Sequence, residues 1–261
     1  MQAEIILLGS GTSMGVPTLG CECHVCTSSD PRDVRTRPSI AVIFRDAESH
    51  DRCILIDSGP DFRQQALREN IRHIDAVLYT HAHADHILGL DDLRPLSFQR
   101  PGKIPLYADE TTTAVLRNIF EYTFSETNHY PHKARVALHP LESHTALFGA
   151  NLVTVPLLHG TLQTVGFRFG NAAYLTDMSD IPASSFVLLE NLDVLILDAL
   201  RRTPHPSHSN LETSLKFVEQ IGPKRAYFTH MSHDLGHVET EDELPPHVRL
   251  AYDGLRIPIE L

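Results

Sequence analysis

Short apolar runs, separated by polar turns, recur along the chain and have the length that is typical of buried strands. In the first half they cover residues 4–8, 39–45, 52–57, 75–79 and 104–107. In the second half they cover residues 152–157, 164–169, 193–198, 225–229, 249–252 and 255–259. The pattern predicts a chain rich in strands, in which the runs at 39–45 and 52–57 form a hairpin around a polar loop.

Helical periodicity occurs between some of these strands. Asp109 is a candidate N-cap, and the helix that follows it is expected to extend to Tyr122. Its apolar face would carry Val115, Ile119 and Tyr122. Further helices are predicted at residues 61–70 and 210–221, and at 87–96, where Pro95 is expected to break the helix. The polar stretch 123–133 is predicted as a loop, in which His129 and His132 are surface histidines.

The composition favours a globular protein that acts on small molecules. At 261 residues, of which 42% are hydrophobic, the chain can form one large domain, 1–261, with a sizeable core. Its formal charge of -11 disfavours binding to long nucleic acids. No apolar run is long enough to span a bilayer, and the first residues lack the basic region of a signal peptide. We therefore expect a cytoplasmic protein that does not contact membranes.

The stretch at 80–86, Thr-His-Ala-His-Ala-Asp-His, directly follows the apolar run at 75–79. The side chains in it that can bind metal ions are His81, His83, Asp85 and His86. In an extended loop the first three project to one side, because side chains alternate along a strand. Imidazole and carboxylate groups suit zinc, manganese or iron, and a pair of such ions can clamp a phosphoryl or acyl group during hydrolysis. The alternative is a polar surface turn rich in histidine.

Three thiols crowd a short loop at 20–26, namely Cys21, Cys23 and Cys26. Without a secretion signal, crowded thiols favour a metal site over disulfides. A tetrahedral zinc needs a fourth ligand, for which the candidates are His24 and His233. We favour His233, because His24 lies between two of the thiols and would have to fold back on a very short chain. The alternative is a set of free or redox-active thiols.

The pattern His-x-His-x-Asp-His after a strand resembles the signature of the metallo-β-lactamase superfamily. The resemblance implies a later lone histidine, a bridging aspartate and a last histidine, each after a strand. The chain offers His159, Asp177 and His230 in that order, all after apolar runs. The resemblance also implies an aspartate that braces the metal loop without binding metal. Asp57 matches it, with a cap on the helix that begins near residue 60 as its alternative role.

A narrower resemblance rests on three further motifs. They are Gly-Cys-Glu-Cys-x-x-Cys at 20–26, Thr-His-x-Ser-His at 229–233 and His-x-x-Leu at 208–211. These are similar to motifs of the phosphoribosyl cyclic phosphodiesterases of phosphonate degradation and their relatives, although the segment before His208 departs from that family. A ribonuclease Z-like nuclease is a weaker match, because its tRNA-binding arm has no room between His159 and Asp177.

The resemblance implies an α/β fold, the four-layer αββα sandwich, with the ligands along one edge at the strand ends. It implies two divalent active-site ions, manganese or zinc, and one structural zinc. The structural zinc would be bound at the N-terminal loop by Cys21, Cys23, Cys26 and His233. One active-site ion would be bound by His81, His83 and His159, the other by Asp85, His86 and His230, and both by Asp177.

The implied reaction is hydrolysis of a small phosphodiester, cyclic or linear, by a hydroxide that bridges the two ions. The implied catalytic residues are His208 and Asp85, and His208 would give a proton to the leaving oxygen. A helix-cap contact is the alternative for His208. The expected partner is a small-molecule substrate, and a homodimer is left open. Other functions on the same scaffold are a lactonase or thioesterase, which would not need His208, and a non-catalytic metal-binding or redox protein.

Overall fold

A computed structural model describes residues 1–125, 127 and 130–261, and its strands form two seven-stranded sheets. The strands are β1 (Gln2–Gly9), β2 (Ser39–Arg45), β3 (Asp51–Ile56), β4 (Ala76–Leu78), β5 (Ile104–Ala108), β6 (Val136–Pro140), β7 (His144–Leu147), β8 (Ala150–His159), β9 (Leu162–Phe169), β10 (Ala172–Leu175), β11 (Val194–Asp198), β12 (Arg225–Thr229), β13 (Val248–Leu250) and β14 (Arg256–Glu260). The first sheet has the order β14-β1-β2-β3-β4-β5-β6, and the second has the order β13-β12-β11-β10-β9-β8-β7.

Helices connect several of the strands. They are α1 (Phe62–Arg68), α2 (Ala84–Ile87), α3 (Arg94–Phe98), α4 (Glu110–Ile119), α5 (Glu121–Phe124), α6 (Leu211–Ile221) and α7 (His237–Glu241). Short 3₁₀ segments lie at Pro31–Asp33, Leu90–Leu93 and Ala183–Leu189. In the part of the chain that the structure describes, none of the helices combines the length and the apolar character needed to cross a membrane.

The two sheets pack face to face around a shared core that includes Ile40 and Phe167. A second apolar layer lies on the outer face of the first sheet, where Phe62 of α1 and Leu116 of α4 cover the strands. A third lies outside the second sheet under Phe217 of α6. These layers make the four-layer αββα sandwich, which confirms the predicted fold class.

Burial of both faces explains why the strands are continuously apolar. In β1, Ile5 and Leu7 belong to the core between the sheets, whereas Ile6 and Leu8 belong to the layer under the helices. Successive side chains of a strand point to opposite faces, so a sheet covered on both sides needs apolar residues at every position.

The helix expected from 109 to 122 is shorter than predicted. It ends at Ile119, and a separate turn, α5, follows. Its buried side chains are Thr112 and Leu116, while Ile119 is 45% exposed. The predicted apolar face is therefore right for Val115 and Tyr122, which are partly buried against the layer under the helices, and wrong for Ile119; Leu116 is the fully buried apolar residue of this helix.

One other expectation also differs from the structure. Pro95 does not end a helix but lies in the first turn of α3, where its missing N–H costs no hydrogen bond. The last two strands join different sheets, since β13 pairs with β12 and β14 pairs with β1. Of the two loop histidines, His132 is exposed and His129 lies outside the described residues.

Strands from both sheets end at the same edge. β3 runs parallel to β4, and β10, β11 and β12 are mutually parallel, so the residues that follow them converge. Asp57, Asp177 and His230 each lie just past the end of such a strand, with φ angles of 61°, 51° and 58°. This left-handed conformation costs non-glycine residues about 1–3 kcal/mol each, and it persists where the surrounding structure over-determines it.

The backbone is also closely packed at this edge. A side-chain carbon at Gly59 would lie 2.0 Å from the carbonyl oxygen of Asp85, and one at Gly89 would lie 2.0 Å from the carbonyl oxygen of Gly59. Both positions therefore require glycine. The close approach holds the segment that follows β4 against the end of β3.

Candidate metal centre

The segment after β4 is a loop only as far as His83, which occupies the N-cap position of α2. Asp85 and His86 lie inside the helix. The expected projection of three side chains to one side is therefore wrong for Asp85, because helical geometry replaces the alternation of a strand.

The side chains at this edge of the sheets form two groups of potential metal ligands. Within each group the ligand atoms lie within 4.8 Å of one another. The two groups share Asp177. The first group is His81, His83, His159 and Asp177, and the second is Asp85, His86, Asp177 and His230. The structure thus brings together all seven residues that the sequence predicted as active-site ligands, and all except the exposed His83 are buried.

Asp177 lies between the two groups and turns one carboxylate oxygen to each. Its Oδ1 is 3.8 Å from Nε2 of His81 and 4.0 Å from Nε2 of His159. Its Oδ2 is 2.9 Å from Nε2 of His86 and 3.2 Å from Nε2 of His230. A carboxylate in this position can bridge two cations.

The protonation states and the unsatisfied atoms of the cluster fit metal ions. Burial raises the pKa of Asp177, but the imidazoles of His230 and His86 outweigh burial and hold this pKa well below its ordinary value. Burial brings the pKa of His81 well below its ordinary value, which favours the neutral imidazole that binds metal. The buried atoms without a hydrogen-bond partner include Nε2 of His81, His86 and His230 and Oδ2 of Asp85. Orphaned polar atoms are costly, and a bound cation would satisfy them together.

In the metal-free protein, two imidazoles compensate the buried carboxylates. Burial lowers the pKa of His230, but Asp177 and Asp198 raise it to about 9. The pKa of His86 is likewise raised well above its ordinary value, because Asp177 and Asp85 outweigh burial. A metal ion that binds here takes the place of these protons, so binding is expected to release them.

Asp57 braces the metal loop and does not cap α1. Its side chain is fully buried; Oδ1 accepts a hydrogen bond from the backbone N–H of Thr80 at 2.8 Å, and Oδ2 accepts one from Nδ1 of His86 at 2.7 Å. Because a carboxylate only accepts, the His86 proton lies on Nδ1 and Nε2 is left for the cluster. The N-cap position of α1 belongs to Asp61.

Asp198, which the sequence analysis did not identify, supports His208. It is the last residue of β11 and is fully buried, and its Oδ2 accepts a hydrogen bond from Nδ1 of His208 at 2.8 Å. The His208 ring stacks on His230 with centroids 4.7 Å apart and meets His159 edge-on at 4.5 Å. His208 does not cap α6, because that role falls to Asn210. An aspartate at the end of a fully apolar strand is the signal that could have revealed this pair.

The three thiols of the N-terminal loop surround His233. Its Nδ1 lies 3.1, 3.5 and 3.3 Å from the sulfur atoms of Cys21, Cys23 and Cys26. His24 lies outside this group and pairs instead with Glu239 at 3.5 Å on the surface. Three sulfurs and one imidazole nitrogen form a donor set that suits tetrahedral zinc.

Comparison with known proteins identifies the family of this site. Residues 52–231 match the sequence model of the β-lactamase superfamily domain, which is more than half of the chain. The chain belongs to the metallo-β-lactamase superfamily. This confirms the family predicted from the sequence, and together with the histidine and aspartate cluster it makes the protein a metallo-β-lactamase-fold hydrolase with a cluster suited to metal binding.

One solved structure narrows the family within the superfamily. A new diphosphatase from the PhnP family is 51% identical, has a TM-score of 0.93, and aligns with 100% of this chain and 98% of its own. Identity at this level over the full length of both chains shows that the protein belongs to the PhnP family. A zinc-bound PqqB from Methylobacterium extorquens has a TM-score of 0.77 over 97% of this chain and 99% of its own, but at 20% identity it shows the fold alone.

A relative of known sequence carries a different name. The octanoyltransferase of Porphyromonas gingivalis is 42% identical over 259 residues, which are 98% of this chain and 51% of that protein. The metallo-β-lactamase-fold chain therefore spans about half the length, or less, of the curated relatives it matches.

Asp177 provides a test of the shared cluster. Asp177→Ala removes the carboxylate that faces both groups, so reconstituted protein should lose about two ions per chain while it keeps any ion held by the thiols. Elemental analysis of the purified variant measures this. Asp180→Ala, a nearby exposed aspartate, should keep the wild-type metal content. Full metal content in Asp177→Ala would remove Asp177 from the site.

The thiol group generates a separate prediction. Cys23→Ser should reduce the zinc content by one ion and lower the Tm, because the free energy of zinc binding at such a site contributes to the free energy of folding. In a domain of this size the Tm falls by about 2–4 °C for each kcal/mol of stability lost. His24→Ala should change neither quantity, because His24 lies outside the thiol group and pairs with the exposed Glu239. Zinc lost from His24→Ala but retained in His233→Ala would contradict this assignment of the fourth ligand.

Proposed function

We propose that the protein is a metal-dependent phosphodiesterase that hydrolyses small phosphodiesters. Two divalent ions, manganese or zinc, would be bound by the two groups that share Asp177, and a third, structural zinc by the thiol group. The single observation that carries the proposal is the His208–Asp198 pair, which lies directly against the metal cluster through His230 and His159. An expected cytoplasmic location and a small-molecule partner are part of the same proposal.

The charge of the cluster supports an anionic substrate. Two divalent ions would contribute +4 and the carboxylates of Asp85 and Asp177 would contribute −2, which leaves a net charge of about +2 before any water is counted. When bound, such ions supply Lewis acidity toward the phosphoryl oxygens and make a bound water more acidic. The carboxylate of Asp85 lies 3.3 Å from His86 and 3.8 Å from His230. Its role is to neutralise part of the positive charge of the ions.

His208 is positioned to protonate a leaving oxygen. Because Nδ1 donates to Asp198, the opposite ring nitrogen, Nε2, is the atom that can carry a transferable proton. The hydrogen bond to the buried carboxylate of Asp198 fixes the orientation of the His208 ring. The loop that carries His208 is tied to the cluster, since Nδ1 of His159 donates to the carbonyl oxygen of Ser207 at 2.6 Å. The oxygen of water forms a bond to phosphorus as the bond to the departing oxygen breaks. The departing oxygen takes a proton from His208, and the attacking water loses a proton to the solvent, from which His208 is protonated again.

The alternatives differ in which features of the site they use. A lactonase or thioesterase would use the metal cluster but has no need of the His208–Asp198 pair. A ribonuclease Z-like activity would need an arm between His159 and Asp177, whereas this interval is occupied by β9 and β10, which form an antiparallel pair. The name of the octanoyltransferase relative makes an octanoyl thioester a necessary comparison substrate.

An activity screen tests the proposed function directly. Protein reconstituted with manganese or zinc is offered cyclic and linear phosphodiesters, a diphosphate diester, a lactone and an octanoyl thioester. We expect the phosphate esters to be hydrolysed fastest, and Asp177→Ala to lose that activity. Faster turnover of the thioester or the lactone, with no phosphodiester hydrolysis, would overturn the proposal.

The role of His208 depends on the leaving group. His208→Ala should slow esters of alkyl alcohols by roughly 10²–10⁴-fold, because an alkoxide needs a proton as it departs. Esters of p-nitrophenol should be slowed far less, because p-nitrophenolate leaves without one. Steady-state rates on matched alkyl and p-nitrophenyl esters measure the difference, with His132→Ala as a surface-histidine control. Equal losses on both substrates would show that His208 binds substrate or supports the fold instead.

A further inference from the structure

The loop between β11 and α6 places a second histidine beside His208. The rings of His205 and His208 have centroids 5.1 Å apart and are inclined to each other by 49°. His205 belongs to none of the groups of potential metal ligands that the described residues form. We propose that His205 is a positioning residue, whose ring keeps the imidazole of His208 in the orientation set by Asp198 while a proton passes to the departing oxygen. The inference rests on the proposed phosphodiesterase function.

Neighbouring rings limit the movement that the hydrogen bond between His208 and Asp198 still allows. That bond restrains one ring atom of His208, Nδ1, at 2.8 Å, so the side of the ring that carries Nε2 is restrained by packing. Among the described residues, the rings that contact His208 are those of His159, His230 and His205. Small movements matter here, because a displacement of about 1 Å in a catalytic group can slow a reaction by about 10²-fold.

His205 differs from the two other rings because its position does not depend on metal ions. The imidazoles of His159 and His230 each belong to a group of potential metal ligands, so bound ions would set their positions. The position of the His205 ring is set by its own loop. His205 can therefore be replaced without removing a ligand of the cluster, which separates its effect on His208 from an effect on the metals.

The loop restricts the backbone of His205. Pro204 and Pro206 flank it in the sequence. A proline fixes its own φ angle and confines the residue before it to extended conformations, so His205 has little conformational freedom. The guanidinium of Arg201 adds two hydrogen bonds to the same segment, which it donates to the carbonyl oxygens of Thr203 and Pro204 at 3.1 and 2.8 Å.

Ser207 connects the His205 ring to the metal cluster. Its backbone N–H donates to Nδ1 of His205 at 3.3 Å, and its carbonyl oxygen accepts a hydrogen bond from Nδ1 of His159 at 2.6 Å. The loop also packs closely on the residue after His159, since a side-chain carbon at Gly160 would lie 3.2 Å from Cβ of Ser207. These contacts hold the His205 ring in a defined place relative to the ligands.

Two phosphodiesters that differ in leaving group test the inference. Cyclic ethylene phosphate has an alkoxide leaving group, whereas methyl p-nitrophenyl phosphate releases p-nitrophenolate, which needs no proton. His205→Ala should lower kcat for the cyclic ester by about ten- to hundredfold and kcat for the nitrophenyl ester by less than about threefold, at the wild-type metal content. His247→Ala, an exposed histidine that also follows a proline, is the matched control.

Two conservative variants separate the ring of His205 from its hydrogen bond to Ser207. His205→Phe keeps an aromatic ring beside His208 but has no nitrogen atom. His205→Asn keeps an acceptor near the position of Nδ1 but has no ring. We expect His205→Phe to retain most of the wild-type kcat on the cyclic ester and His205→Asn to resemble His205→Ala. The reverse order would show that the hydrogen bond matters and the ring does not, which would overturn the inference.

A double variant shows whether His205 acts through His208. In protein that already carries His208→Ala there is no proton donor left to position, so His205→Ala should cause no further loss on the cyclic ester. If the two losses multiply instead, His205 acts independently of His208 and the inference is wrong.

Proton exchange provides a readout apart from turnover. In the metal-free protein, the Nδ1 proton of His208 is bonded to the buried carboxylate of Asp198, and the His208 side chain is only 12% exposed. NMR of nitrogen-labelled protein should detect this proton in the wild type and in His247→Ala. The signal should be lost through faster exchange with water in His205→Ala. An unchanged signal in His205→Ala would contradict the proposed contact.

The outcomes also separate this inference from the proposed function. Hydrolysis of both esters by the wild type, with equal losses on each in His205→Ala, overturns the inference and leaves the phosphodiesterase proposal intact. Loss of metal ions from His205→Ala would show a structural role and would overturn the inference in the same way. No hydrolysis of any phosphate ester by reconstituted wild-type protein overturns the proposed function, and the inference with it.

Discussion

The buried carboxylate of Asp177 is the interaction on which the rest of the site depends. It is 2% exposed and has four imidazoles within 4.0 Å of its two oxygens. An ionised carboxylate in the interior is tolerated only when cations compensate it. The raised pKa values of His86 and His230 show that their imidazoles can do so in part. Metal ions would do so more completely, because they would also satisfy the unpartnered nitrogen and oxygen atoms around it.

Bringing these groups together imposes strain that the sandwich offsets. Asp57, Asp177 and His230 adopt left-handed backbone conformations, and Gly59 and Gly89 permit contacts that no side chain would allow. Such costs are each of the order of 1–3 kcal/mol and are tolerated only where surrounding structure fixes the backbone. Here the strands that end in these residues are almost fully buried on both faces. The core between the sheets and the two outer layers thus stabilise the geometry of the cluster.

The sequence was most informative where function is local in the chain. Four ligands lie in one short stretch, and the family resemblance of that stretch implied three later ligands after strands, which the apolar runs before His159, Asp177 and His230 located. Asp198 was missed because its place at the end of a fully apolar strand is only a weak signal, and its contact with His208 follows from the tertiary structure. Ile119 was assigned wrongly to the buried face of α4 because it is apolar yet exposed, and Pro95 was read as a break although the first turn of a helix accepts proline. A cavity beside His83 could not be predicted, since it is lined by three separate segments, 81–83, 109–115 and 161–164, which come together only in the tertiary structure.

The thiol group and a buried arginine act together on the strand end that carries His230. His233 lies three positions after His230, and the segment between and beyond them has no regular secondary structure before α7. Arg35 is fully buried below it, and its guanidinium donates to the carbonyl oxygens of Ser232 and Leu235 at 3.0 and 2.6 Å. These bonds fix the backbone of the segment. The side chain of His233 is fixed separately, by its contacts with the cysteines near the N-terminus of the chain. Because His230 is in a left-handed conformation, these attachments, together with the backbone hydrogen bonds of Met231 with Ser10 and Thr12, restrain the position of its imidazole beside Asp177. A structural ion at the thiols would therefore act on the chemistry only through the position of His230.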